Sequence, residues 1–480
     1  MKVLGEFIRK YKNMSVTSKA TLWFMTCTLV QKGLSFITTP IFTRLLTTEQ
    51  FGTYSVYGSW MQIFLIVSML RLDYAVFNKG MSKYPKDRDG YASSMLGFSV
   101  IITTVMLVGY LIFRKQINNV TELGTVLMLA MFAELYVQAA VSFWAIRERY
   151  EFRYKAVVFY TLFTAVSSSV FGIVAVLLFE DGGSARILSN ALLHVLCGSV
   201  IVVLLFKRGR KFIDWSYVKF ALLFNAPLML HYFSSYLIEQ SDRIMIQKLD
   251  GLSAAALYSV AYTVGGLVKI ITGAISNTLI PSMYRWLERK DFQALNKNII
   301  TLMVGVTALV ILVALAGPEV VLIFGGEEYL PAVNVIPPVA ASVFFSFLYT
   351  IVANVEFYYE KNKFAMKISV VCAVINVVLN YLLIPKFGYV AAAYTTLVSY
   401  MVFSIGHIIY VNVLLKRKEQ CGGVNAKLLL LMGTGATVCC ILSNFIYPSL
   451  GIRCLVAIVI CGVIVWKRKV LLQILKKTAT

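Results

Sequence analysis

Fourteen stretches of about 20 mostly apolar residues follow one another along the chain, each long enough to cross the ~30 Å hydrocarbon core of a bilayer as a helix. They centre near Lys32, Ile66, Thr103, Glu134, Ser168, Val195, Met229, Leu267, Leu312, Phe345, Ala373, Val402, Thr437 and Val459. In lipid every backbone N–H and C=O needs a partner within its own segment, so such stretches fold as helices. The linkers between them leave no room for a soluble catalytic domain. Composition agrees. Of 480 residues, 59% are hydrophobic and 14% charged, against about 45–50% and about 25% in soluble domains. A water-soluble enzyme of this make-up would carry more apolar surface than it could bury.

Lys and Arg number 45 against 23 Asp and Glu, a net charge of +22. Such an excess can signal nucleic acid, but here its distribution points to loops. With the N-terminus inside, most of the cations fall on inner segments. The clusters are Lys2 to Lys19; Lys79 to Arg88; Arg147, Arg149, Arg153 and Lys155; Lys207 to Lys219; Arg285 to Lys297; Lys361 to Lys367; Lys416 to Lys427; and the tail from Lys467 to Lys477. The outer segments hold few: Arg44, Arg114, Lys115, Arg243, Lys248, Lys386 and Arg453. This alternation follows the positive-inside rule and puts both termini in the cytoplasm. No nucleic-acid partner is expected. The run from about Thr21 to Leu46 is too long for a signal peptide and reads as the first spanning helix. The eight cysteines form no C-x-x-C and read as small hydrophobes, so neither a disulfide framework nor a metal or other cofactor is expected.

A shift of 204 residues lays Arg44-Leu45 on Lys248-Leu249 and Tyr54-Ser55-Val56 on Tyr258-Ser259-Val260; a shift of 205 lays Leu177-Leu178 and Gly183 on Leu382-Leu383 and Gly388. Two matches at nearly one offset suggest a duplicated six-helix unit. Six is even, so both copies have the same orientation. The expected class is therefore an all-α polytopic membrane protein of about fourteen transmembrane helices, in two pseudo-symmetric six-helix lobes plus two C-terminal helices. The expected divisions are 1–211, 212–418 and 419–480.

Three stretches carry a family resemblance. They are Pro40-Ile-Phe-Thr-Arg-Leu-Leu-Thr-Thr-Glu-Gln-Phe-Gly-Thr-Tyr54; Asn225-Ala-Pro227 with Ser241-Asp242-Arg243 and Ala256-Leu-Tyr258; and Ala316-Gly-Pro318 through Phe324-Gly325, with Glu360-Lys-Asn-Lys363 and Asn380 to Gly388. The chain resembles the polysaccharide and oligosaccharide-lipid flippases of the multidrug/oligosaccharidyl-lipid/polysaccharide exporter superfamily. The resemblance implies a V-shaped pair of six-helix lobes that moves an undecaprenyl-pyrophosphate-linked oligosaccharide from the inner to the outer leaflet of a bacterial cytoplasmic membrane by alternating access. The repeat unit would be O-antigen, capsule or a related polysaccharide. Its partners would be the lipid-linked oligosaccharide, the lipid bilayer, a polysaccharide polymerase and glycosyltransferases. Fourteen helices rather than twelve also fits the peptidoglycan-precursor flippases of the same superfamily, so the cargo stays open.

A charged side chain at the bilayer centre costs about 2.5–3.5 kcal/mol on insertion scales, so those that persist usually face a cavity or a partner. Lys32 lies mid-way along the first stretch and Lys269 mid-way along the eighth. By the resemblance, both helices line the cavity between lobes, where two cations would compensate a pyrophosphate leaving water. The alternative is that each pairs with a nearby acid. Arg71, two residues before Asp73, either snorkels to the headgroups or captures phosphate at the entry. Arg44 suits a helix-end role or a ligand contact. Arg243 follows Glu239 by four residues and so reads as a local ion pair, with ligand contact as the other reading. The substrate-binding candidates are thus Lys32, Lys269, Arg71, Arg44 and Arg243. Arg186, beside Glu180 and Asp181, reads as an interfacial anchor.

Glu134 is the most deeply placed acid. It would stay protonated, pair with Lys32, or exchange protons during transport. Asp73 and Asp242 join it as ion-coupling candidates, although they, like Glu356, lie nearer span ends, where a structural role is the simpler reading. His194, His231 and His407 lie in different stretches, without metal spacing, and read as packed or cavity-lining. Tyr54, Tyr57 and Tyr258 read first as interfacial-belt residues. Asp87-Arg-Asp89 has the D-x-D form of some glycosyltransferases, but a short basic loop without a nucleotide-binding fold reads as solvated charge. With no Walker, G-x-G-x-x-G or G-x-S-x-G motif, no catalytic residue is assigned and the chain is not read as an enzyme. The nearest rival is an ion-coupled multidrug cation antiporter, whose pocket should be acidic, whereas the mid-membrane candidates are mainly cationic.

Overall fold

The computed structural model describes residues 11, 14–420 and 423–466. Among them the order is α1 (Val16–Leu45), α2 (Thr48–Met69), α3 (Ala75–Lys83), α4 (Arg88–Ile112), α5 (Arg114–Thr121), α6 (Thr125–Tyr150), α7 (Tyr154–Leu178), α8 (Gly182–Gly209), α9 (Trp215–Asp250), α10 (Leu252–Glu288), α11 (Phe292–Leu315), α12 (Gly317–Phe324), a 3-10 segment (Glu327–Val335), α13 (Ile336–Tyr358), α14 (Asn362–Phe387), α15 (Val390–Glu419), α16 (Ala426–Ile446) and α17 (Leu450–Trp466). Each of the fourteen expected centres falls in a separate helix of this order, and α3, α5 and α12 are short connectors. Ten of the helices are long and apolar enough to span a membrane, eleven if Trp215–Ala226 and Leu228–Asp250 count as one. The protein is thus all-α and polytopic, while fourteen spans stays an expectation. α1 falls short of that test because it carries polar residues such as Thr28, Gln31 and Lys32.

The helix ends follow local chemistry. Side chains of Ser15, Asp87, Asp181, Asp291 and Asn425 each accept from a backbone N–H of the first turn they precede. Thr47 and Gln50 form a reciprocal capping box at the start of α2. The end of α2 is sharper: Leu70 and Arg71 both adopt left-handed backbone, φ 48° and 53°, a conformation costly for side chains of this size. The Asn225 amide donates to the Leu70 carbonyl at 2.7 Å and secures the turn.

The chain divides into two compact units, Met1–Met229 and Leu230–Thr480. In the first, α6 packs on α8 and α4, and α7 on α8 and α1, around Leu72, Phe77, Tyr91, Met95 and Phe143. In the second, α13 packs on α15, α10 and α11, around Phe344, Phe345, Leu348 and Phe403. Starts of corresponding helices, α2 and α10 through α8 and α15, lie 204 to 211 residues apart, so the offset of the sequence repeat recurs in the helix order. Each unit is built around its fourth helix.

Candidate translocation site

A cavity of about 1070 Å³ opens inside the first unit, above the ~300–1,000 Å³ usual for small-molecule pockets. The spacing of its lining residues explains its polarity. Gln138, Ser142, Ala145 and Arg149 recur at steps of four, three and four along α6, which is one helix face. Thr28 and Gln31 of α1, Asn78 of α3, and Thr161 and Thr164 of α7 converge on the same space, with rings of Tyr74, Trp144 and Tyr150 between them. Amides, hydroxyls and aromatic faces therefore share the walls with aliphatic side chains such as Leu65, Val141 and Val157. Two charges stand among them. Arg149 sits over the Phe24 ring at 5.3 Å and has no acidic partner among the described residues. Asp73 accepts from the Ser142 hydroxyl at 3.1 Å and lies 3.8 Å from the Arg71 guanidinium.

His194 of α8 completes the wall and connects it to Glu134 behind. Its Nδ1 lies 2.7 Å from Glu134 Oε1, while the Tyr57 hydroxyl donates to Oε2 at 2.8 Å. This corrects two expectations, while His194 is cavity-lining as one of its readings had it. The partner of Glu134 is not Lys32, which is exposed and without an ion pair among the described residues. Tyr57 is buried rather than in an interfacial belt. His194 works with an acid 60 residues away, a distance in sequence that no local pattern bridges.

In the second unit Lys269 donates to Glu239 Oε1 at 2.9 Å and to the Tyr262 hydroxyl at 3.1 Å. The expected Arg243–Glu239 side-chain pair gives way to this bond. Arg243 instead donates to the Glu239 backbone carbonyl and to the Ser259 hydroxyl, with its guanidinium 4.8 Å from the Tyr262 ring centre. Lys269 reaches the carboxylate from α10, while the Arg243 guanidinium is taken up by the Glu239 carbonyl, Ser259 and the Tyr262 ring. Asp242 is fully buried. It accepts from Tyr258 at 2.5 Å, Thr396 at 2.6 Å and Asn380 at 2.8 Å, so Tyr258 too is a core residue and not a belt residue. This oxygen-rich cluster of acid, amides and hydroxyls has the donor chemistry that hard cations take. Among the described residues no group of three His, Cys, Asp or Glu could hold a metal ion.

The remaining candidates serve the scaffold. Arg44 donates to the Pro40 carbonyl at 2.8 Å in the last turn of α1. Arg186 is buried, not interfacial: it donates to the Ser168 carbonyl at 2.7 Å and lies 3.7 Å from the centre of the Phe42 ring. Gly172 makes the room, since a Cβ there would meet the guanidinium at 1.6 Å. The D-x-D loop is not merely solvated, for Asp89 lies 2.5 Å from the buried Arg147 and Asp87 binds Lys211 and Tyr217. His231 and His407 are not isolated from each other, as both flank the Phe403 ring. Arg149 was the residue hidden among loop cations; its four-three-four spacing with Gln138, Ser142 and Ala145 was the available signal.

A family model described as "Polysaccharide biosynthesis protein" matches residues 18–287, and one described as "Lipid II flippase MurJ" matches residues 157–466. Among curated proteins, "Lsg locus putative protein 1" of Haemophilus influenzae is 24% identical over 75% of this chain and 89% of its own length. The "Probable low-salt glycan biosynthesis flippase Agl15" of Haloferax volcanii is 22% identical over 81% of this chain and 82% of its own. Among solved structures, the inward closed conformation of lipid II flippase MurJ superposes with a TM-score of 0.70 at 13% identity, over 94% of this chain and all of that one. An inward-facing multidrug transporter of the MATE family gives 0.58 at 12% identity, over 84% of this chain and 100% of the other. At these identities the structures speak for a shared fold.

Proposed function

The chain belongs to the polysaccharide biosynthesis protein family of the multidrug/oligosaccharidyl-lipid/polysaccharide exporter superfamily, and from that premise we propose that it carries an undecaprenyl-pyrophosphate-linked oligosaccharide from the inner to the outer leaflet. It is a multi-pass membrane transporter of the flippase type and not an enzyme. The cavity of the first unit carries the reading of the cargo. Its amide, hydroxyl and aromatic walls suit sugar hydroxyls and ring faces, and Arg149, free of an acid among the described residues, suits a phosphate oxygen. Lys32, exposed and without an ion pair among the described residues, is a second cation for the pyrophosphate; Lys269 and Arg243, both against Tyr262, form a further candidate pair. Arg44 and Arg71 shape the ends of α1 and α2 and contribute less directly.

Alternating access needs a coupling group. Glu134, joined through His194 to the cavity, is the proton-carrying candidate, with Asp73 exposed to the same space; Asp242 in its oxygen-rich cluster suits a bound cation. The charge pattern favours both termini inside; the family resemblance supports a bacterial cytoplasmic membrane, with glycosyltransferases and a polysaccharide polymerase as suppliers and consumers of the lipid-linked glycan. A peptidoglycan precursor is the second reading, favoured by the family match over residues 157–466.

Depletion of the protein in its own host, followed by mass spectrometry of undecaprenyl-pyrophosphate-linked sugars with leaflet accessibility probed, tests this. A lipid-linked glycan accumulating on the cytoplasmic side identifies the cargo. An unchanged lipid pool with altered drug efflux would place the protein with the cation antiporters.

A further inference from the structure

We propose that Asp73 and Ser142 form a sugar subsite that selects the cargo by charge, accepting a neutral or amino sugar and rejecting a uronic acid. The inference rests on the flippase reading above and deepens it. Among the described residues lining the cavity of the first unit, Asp73 is the only acid. A carboxylate in a space read as holding a pyrophosphate calls for a reason, because like charges repel. An ion pair with Arg71 supplies only part of one. The two groups are 3.8 Å apart, beyond hydrogen-bond reach, and the guanidinium stands 5.1 Å from the Tyr74 ring centre. Among the described residues Asp73 takes one hydrogen bond, from the Ser142 hydroxyl at 3.1 Å, and its Oδ1 takes none.

The unused acceptors name the ligand. An ionised carboxylate has about four acceptor sites and no donor. Sugar hydroxyls and ammonium groups donate to it, whereas a uronate is ionised at neutral pH and brings a second negative charge. Asn78, whose amide both donates and accepts, lines the same cavity, and Tyr74 and Tyr150 offer ring faces. The placement along α6 fits a head group in two parts. Ser142 and Arg149 share one helix face, a rise of about 10 Å apart at ~1.5 Å per residue. That separation exceeds the ~8 Å Debye length of physiological salt, so the carboxylate acts weakly on a phosphate at Arg149. A sugar group against Ser142 meets its charge directly. Ala145, between them on the same face, adds only a methyl group. Asp73 thus serves the cargo, and coupling falls to Glu134.

The full-length protein in nanodiscs, read by native mass spectrometry, tests the selection. The probes are undecaprenyl pyrophosphate and the same lipid carrying N-acetylglucosamine extended by glucose or by glucuronic acid. The two glycans differ only in a hydroxymethyl group against a carboxylate. The wild type is expected to retain the glucose form about tenfold better, Asp73→Asn to bring the two within about twofold, and Asp73→Glu to restore the preference. Binding of the sugar-free lipid and the melting temperature should change little in Asp73→Asn. Equal retention of the two glycans by the wild type, or the same preference in Asp73→Asn, would overturn the subsite and leave the flippase reading standing. An Asp73→Asn protein that does not fold would overturn it too, by making Asp73 a residue of the scaffold. Retention of none of the three lipids by the wild type would overturn both.

Discussion

A carboxylate and a histidine join α6 to α8 in the first unit and α13 to α15 in the second, and the two joints differ in their exposure. In the first unit Glu134 and His194 meet at 2.7 Å, with His194 27% exposed on the cavity wall. In the second, Glu356 and His407 meet at 2.6 Å with both side chains wholly buried. Rings of Tyr349, Phe364 and Phe403 encase that imidazole. The same two functional groups thus serve different ends. The first pair borders a polar cavity, whereas the second is sealed from solvent and joins α13 to α15. Accessibility, not residue type, separates the two joints.

The comparison can be broken most forcefully at the buried joint. His407→Ala leaves Glu356 buried without its partner and should cost ~3–5 kcal/mol, read as a large fall in melting temperature in detergent. Glu356→Met with His407→Phe, which removes both polar partners, should recover most of that loss. A single variant that melts like the wild type would put the two pairs in one class. Glu134→Gln should instead leave melting nearly unchanged and lower glycan-lipid transport in proteoliposomes by about tenfold. His194→Asn removes the imidazole that links Glu134 to the cavity and should lower transport severalfold with melting nearly unchanged; a rate identical to the wild type would remove His194 from the exchange path.

Smaller effects sharpen the distinction. Tyr57→Phe removes one hydrogen bond to Glu134 and should cost ~0.5–1.5 kcal/mol of stability, while Tyr258→Phe at the fully buried Asp242 should cost ~1–3 kcal/mol. The smallest change is expected outside the membrane. Burial opposes the Asp87 charge, but hydrogen bonds from Lys211 and Tyr217 outweigh it and hold its pKa below the ordinary carboxylate value. Because the folded pKa is depressed, this contribution is full above ~3.9 and is lost as pH falls through the lower folded value. Asp87→Asn should therefore melt slightly earlier than the wild type at neutral pH and converge with it in acid.

Particular residues show how far the chain could be read in advance. The fourteen centres each found their own helix because apolar length is a property of consecutive residues. Lys269 was legible as a buried cation, but its partner was not: Glu239 lies 30 residues earlier on another helix and had a nearer candidate in Arg243. Arg149 was counted with loop charges because it ends α6, yet that end borders a cavity. Arg186 stood beside two acids in the chain, but helix rotation turns it inward onto Phe42, away from both.

By itself the sequence determined that this is a helical, multi-pass membrane protein of the flippase type, and it raised the expectation of a repeat and of one cationic side. Hydrophobic run length, charge alternation and motif order are all written along one dimension. Tertiary structure alone decided which charges share a space. Glu134 meets His194 and Tyr57, and Arg149 meets a polar cavity, because helices 60 or more residues apart pack at one rotation. That rotation is set by the sum of many side-chain contacts and by no single residue.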